Sequence, residues 1–67
     1  MELSARNQLK GTITAIKTDT IMAEVTLDVG GQTVVGAITH ATVDRLNLQV
    51  GDQVSAIIKS TEVMIGE

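Results

Sequence analysis

Between Ile21 and Val29 the chain alternates without a break. Ile21, Ala23, Val25, Leu27 and Val29 fall on one side of an extended backbone, and Met22, Glu24, Thr26 and Asp28 on the other. A period of two is the pattern of a strand with one face buried. Gly30-Gly31 follows at once, and QTVVGAITH resumes the β pattern over 32–40. Two glycines between two β runs suit a primed two-residue turn, whose central residues need positive φ. A β-hairpin over 21–40 is the fixed point around which the rest of the chain has to fold.

The flanks extend the same architecture. LKGTITAIK (9–17) is rich in β-branched residues and reads as a strand. THATVDRLNL breaks the alternation: Val43, Leu46 and Val50 stand at helical spacing, and Thr39 or Thr42 can cap the start, so one or two helical turns fit there. A turn at Gly51-Asp52 leads into a strand from Gln53 to Lys59, and a last strand is expected from Glu62 to Ile65. The sum is all-β: a small five-stranded, OB-like barrel with one short helix before the fourth strand. Other small β barrels or sandwiches share this pattern. With no proline, no linker and no low-complexity segment, residues 1–67 read as a single domain.

Composition decides what can hold such a barrel together. A chain of 67 residues buries only about 60% of the surface its unfolded form exposes. Small domains of this kind rely on disulfides, a metal or a partner. There is no cysteine, which rules out disulfides and thiolate metal sites, and a single histidine argues against structural zinc. No aromatic residue is present either, so the core has to come from Ile, Val, Leu, Met and Ala. Self-association is the remaining staple. The formal charge of −3 and the missing aromatics argue against nucleic acid, which calls for a basic face or stacking platforms. No apolar leader is visible in positions 1–10, and no stretch approaches the roughly 18 apolar residues of a membrane span. A cytoplasmic protein that does not engage membranes is the expectation.

Catalysis finds little support. Ser4, Ser55 and Ser60 are the serines and His40 the one histidine, with neither a nucleophile elbow nor a glycine-rich oxyanion turn. Glu24 and Asp28 share a polar strand face, which is most simply solvated surface. VGGQ lacks the pattern of a phosphate loop and suits a hairpin turn. Two polar clusters stand out instead. Ser4-Ala5-Arg6 offers a hydroxyl, main-chain amides and a forked guanidinium within three residues, and Lys59-Ser60 adds an ammonium and a second hydroxyl where a strand ends. A fully deprotonated tetrahedral oxyanion carries only acceptors. It therefore suits a shell of pure donors, where charge-assisted hydrogen bonds are roughly twice as strong as neutral ones.

SARNQLKGTITAI near the start, AEVTLDVGGQTVVGAIT in the middle and VGDQVSAIIKSTEVMIG near the end resemble the molbindin (Mop) family. Its members are small cytoplasmic proteins that bind molybdate and tungstate through a TOBE-type domain. The resemblance covers nearly the whole chain, and its most specific parts are SARNQLKG and the KST and VMI elements. It implies a five-stranded OB-like barrel assembled as a homohexamer, a trimer of dimers, with oxyanion sites at subunit interfaces. One kind of site would combine Ser4, Ala5 and Arg6 with Lys59 and Ser60 of a neighbouring subunit. A second kind, near the three-fold axis, has Lys17, Thr20, Ile21 and His40 as candidates. This chain reads Asp19-Thr20-Ile21-Met22 where many relatives read Gly-Ala-Val-Asn. The metal would be held as its oxyanion, without direct protein ligands to metal and without a catalytic cofactor. The expected role is a non-enzymatic store or buffer of molybdate or tungstate. The alternative is a ligand-sensing regulatory module that docks on a partner protein.

Overall fold

The spine of the fold is β1, Asn7–Thr18. The computed structural model describes residues 7–67. The first half of β1, Asn7–Thr12, runs antiparallel to β4 (Gln53–Ile58), and its second half, Thr12–Thr18, runs antiparallel to β2 (Met22–Val29). With β3 (Gln32–Thr39) beyond β2, the sheet has the order β3-β2-β1-β4. The register to β2 slips between Ile13 and Ala15. Thr14 falls in that gap, and its hydroxyl donates to the Thr26 carbonyl at 3.3 Å. A bulge bends a strand and increases its twist, and here it sits where β1 changes partner. The Ile13 backbone stays paired across the change: its N–H donates to the Asp52 carbonyl at 2.9 Å, and its carbonyl accepts from the Gly51 N–H at 2.8 Å.

The hairpin forms as the alternation demands. β2 and β3 stay in unbroken register from Met22↔Thr39 to Val29↔Gln32. The turn between them is the two glycines alone, at φ 58° and 88°, the positive values a type I′ turn requires. Asp28 steadies it by accepting from the Gly31 N–H at 3.1 Å. On β2 the inward residues Ala23, Val25 and Leu27 are buried, while Glu24 and Asp28 are exposed. Ile21 departs from the expected face. It lies before β2 begins and is 71% exposed, because the chain is still turning there.

Helix α1, His40–Leu46, closes one end of the core. Thr39 is its cap, accepting from the Thr42 N–H at 3.1 Å, so β3 stops at residue 39 and His40 is already helical. Asn47 ends the helix in the left-handed conformation at φ 51°. Of the three apolar residues at helical spacing only Val43 is buried. The helix stops before Val50, and Leu46 remains exposed. Val43 joins Ile13, Ala23, Val25 and Leu27 in a core without aromatic residues.

One expected element is absent. Beyond β4 the chain enters a 3-10 turn at Ser60–Glu62, closed by the Glu62 N–H donating to the Lys59 carbonyl at 2.9 Å. Val63–Glu67 then continues without strand structure, so the described residues hold four strands rather than five. A strand needs hydrogen-bonded neighbours, and no described strand of this chain pairs with the segment. Met64 and Ile65 are left 91% and 93% exposed.

Candidate functional site

Lys59 and Ser60 stand where β4 gives way to the 3-10 turn. Along β4 the outward positions are Gln53, Ser55 and Ile57, and the half-buried ones are Val54, Ala56 and Ile58. Lys59 continues the outward series and is exposed. Its backbone is still extended at φ −64° and ψ 141°, and Ser60 opens the turn. The turn therefore begins at the second donor, and the pair stands just past the end of β4, an outer strand of the described sheet.

Ser4, Ala5 and Arg6 lie outside the described residues. The rest of the first motif, Asn7–Gly11, forms the start of β1. Asn7 is the register partner of Ile58, and its side-chain amide donates to the Ile58 carbonyl at 3.2 Å. The described part of the first motif thus runs beside β4, the strand that leads into the second motif, from more than fifty residues away in sequence. Lys10 belongs to the first motif too, but its register partner is Ser55, four positions before Lys59.

The remaining candidates gather at the opposite end of β1. Lys17 is near its end, paired in register with Glu24. Thr20 and Ile21 form the loop to β2. The His40 main-chain N–H donates to the Ile21 carbonyl at 2.8 Å. Its ring contacts the Asp19 carbonyl at 2.8 Å through Nδ1. A carbonyl only accepts, so Nδ1 carries the hydrogen. The other ring nitrogen lies 3.7 Å from the Asp44 carboxylate. Both ring nitrogens thus face groups of their own neighbourhood.

Asp19 organises this loop. Its Oδ1 accepts from the N–H of Ile21 at 2.8 Å and of Met22 at 2.7 Å. The amides of Met22 and Ile21 hold the Asp19 carboxyl below the usual aspartate value. From sequence alone Asp19 was one acidic residue near others. The available signal was that aspartate in a turn bonds to amides two residues ahead. Among the described residues no three His, Cys, Asp or Glu side chains gather as a metal-ion site. No helix there is long and apolar enough to cross a membrane.

The model of the TOBE domain matches residues 3–65. The chain belongs to the TOBE domain family. Within that family it is similar to molbindins over its whole length. A probable molybdenum-pterin-binding protein of Haemophilus influenzae is 46% identical over 67 residues, covering 98% of this chain and 97% of the relative. A molybdate-binding protein from Sporomusa ovata superposes with a TM-score of 0.95 at 39% identity, with both chains fully covered. The molybdate-bound form of the cytoplasmic molybdate-binding protein ModG gives a TM-score of 0.91 at 42% identity, covering 96% of this chain and 46% of that one. The OB-like architecture expected from the strand pattern is thus the TOBE fold of solved molybdate-binding proteins, and the missing fifth strand is a detail within it.

Proposed function

We propose that this TOBE domain binds molybdate or tungstate reversibly and without catalysis, as a cytoplasmic store or buffer. The observation that carries the reading is its end-to-end likeness, in sequence and backbone, to the Sporomusa ovata molybdate-binding protein. The binding shell would consist of the Arg6 guanidinium, the Lys59 ammonium, the Ser4 and Ser60 hydroxyls and the main chain at Ala5. Through the N–H at Ala5 and these four side chains the shell presents donors, and the side chains accept only through a hydroxyl oxygen. A shell of this kind favours a dianion without a proton over hydrogen phosphate, whose own proton would go unsatisfied. Against sulfate, selection would rest on cavity size.

Sites shared between copies in a homohexamer, a trimer of dimers, complete the proposal. The single chain is consistent with such an assembly. Among the described residues β3 and β4 each keep one unpaired edge, and an apolar groove of about 420 Å³ lies open beside Val34, Ile38, Leu46, Leu48, Ala56 and Ile58. A second copy laid against this groove would cover its apolar lining, and unpaired edges invite strand pairing. The same ModG relative, described as cytoplasmic, supports the compartment.

The test is isothermal titration of the whole chain with molybdate and tungstate. Arg6→Ala and Lys59→Ala should each weaken binding by about 1.5–3 kcal/mol, the range for hydrogen bonds to charged groups. Wild-type affinity in both variants would refute the assignment.

A further inference from the structure

Two successive amides, Ile21 and Met22, converge on one oxygen of Asp19 at 2.8 and 2.7 Å. Consecutive main-chain N–H groups pointing at one spot form the concave donor pair with which backbone binds anions. In this chain the anion in that concavity is its own side chain. The Asp19 N–H donates to the Met22 carbonyl at 2.9 Å and closes the loop on itself. His40 secures the loop from the helix side, at the Asp19 carbonyl through Nδ1 and at the Ile21 carbonyl through its main-chain N–H.

Charge around the loop acts in the same direction. A recess of about 310 Å³ beside it is lined by Lys17, Asp19, Met22, Glu24 and Ala37, among others. Among the described residues of that lining Lys17 is the one cation, set against the two carboxylates, Asp19 and Glu24. Glu24 also faces Lys17 directly across the β1–β2 ladder. Asp44 lies on the far side of the His40 ring, 3.7 Å from Nε2. Lys17 and His40 therefore flank the loop of Thr20 and Ile21, in which the Asp19, Ile21 and Met22 amides are engaged and whose described surroundings carry more negative than positive side chains. A dianion approaching it would have to displace a carboxylate that is tethered two residues away and pays no association entropy.

We propose that Asp19 acts as a built-in anion that closes the β1–β2 loop to oxyanions, leaving the site of Lys59 and Ser60 as the one open kind. The closure stands on the geometry of the loop; its second half rests on the proposed function.

Equilibrium dialysis of the full chain against tungstate, with stoichiometry per chain as the readout, tests it. Wild type should show one class of site, and Lys59→Ala should weaken that class roughly tenfold or more. Asp19→Ala should bind tungstate beyond the wild-type stoichiometry, and the excess should persist when Lys59→Ala is added. Asp19→Ser, whose shorter side chain carries no charge, provides a second variant should the first fail to fold. A folded Asp19 variant that binds no more than wild type overturns the proposal. So does a second class of site in wild type that is lost in Lys17→Ala. Should wild type bind nothing while Asp19→Ala gains tungstate, the Lys59 reading falls and the closure stands. If Lys59-dependent binding is intact and the Asp19 variants gain nothing, the closure alone falls.

Discussion

A methyl group added at Gly11 would lie 2.8 Å from the Asp28 carbonyl oxygen and 2.8 Å from Cγ2 of Val29. The carbonyl belongs to the backbone of β2 and cannot swing aside. Here glycine serves a close approach of two strands, just before β1 changes partner at Thr12. Gly11→Ala is expected to cost about 1–3 kcal/mol of stability, the usual range for overpacking, read by urea denaturation. A stability equal to wild type would show that β2 can shift. Asp19 makes a different prediction. Its carboxyl is held low in the fold by the amides of Met22 and Ile21. A carboxylate depressed in the folded state stabilises above its unfolded value, near 4, and loses that contribution as pH falls through the folded value. The gap in thermal midpoint between wild type and Asp19→Asn should be present at neutral pH and narrow as pH drops below about 4. A gap that stays constant down to full protonation would argue against the charge of Asp19 as its source.

At the scale of elements, α1 is the piece with least local support. A helix of seven residues is far below the length at which isolated helices persist in water. Its stability has to come from its caps and from the burial of Val43. Thr39→Ala removes the side-chain acceptor of the Thr42 N–H and should cost about 1 kcal/mol. Amide hydrogen exchange should show lost protection first at the start of α1, with the β2–β3 hairpin little changed. Equal loss throughout would mean that helix and hairpin open as one unit. The hairpin itself was legible residue by residue, because alternation and a two-glycine turn are local signals. The fifth strand was not. A β pattern over Glu62–Ile65 states what the segment can become, whereas a strand also requires an edge to pair with, and sequence does not say whose edge that is.

For the whole molecule, five buried side chains form the described core, a small number for a cooperative fold. Apolar residues remain exposed on β3, on β4 and in the tail, as at Val35, Ile57 and Met64. If copies cover these surfaces and hold the oxyanion between them, stability follows mass action. Tungstate at a hundredfold excess over its dissociation constant adds about 2.7 kcal/mol, which for a chain of this size raises the thermal midpoint by on the order of ten degrees. The midpoint should also climb with protein concentration. Calorimetry showing neither dependence would remove the basis for interfacial binding.

Sequence by itself determined the β class, the hairpin and its turn, the buried face of β2, and the two donor-rich motifs, because each is written in the periodicity or chemistry of neighbouring residues. It also named Lys59-Ser60 as half of a candidate site. Tertiary structure decided what depends on residues far apart in the chain. It set the register that lays Asn7 against Ile58 and the tie from His40 to the Asp19 loop. It also left Val63–Glu67 outside the sheet. Asp19 shows the difference most plainly. In sequence it is one more acidic residue near the end of a strand. Its role as the occupant of an anion-binding loop arises only when the backbone turns two amides back onto its carboxylate.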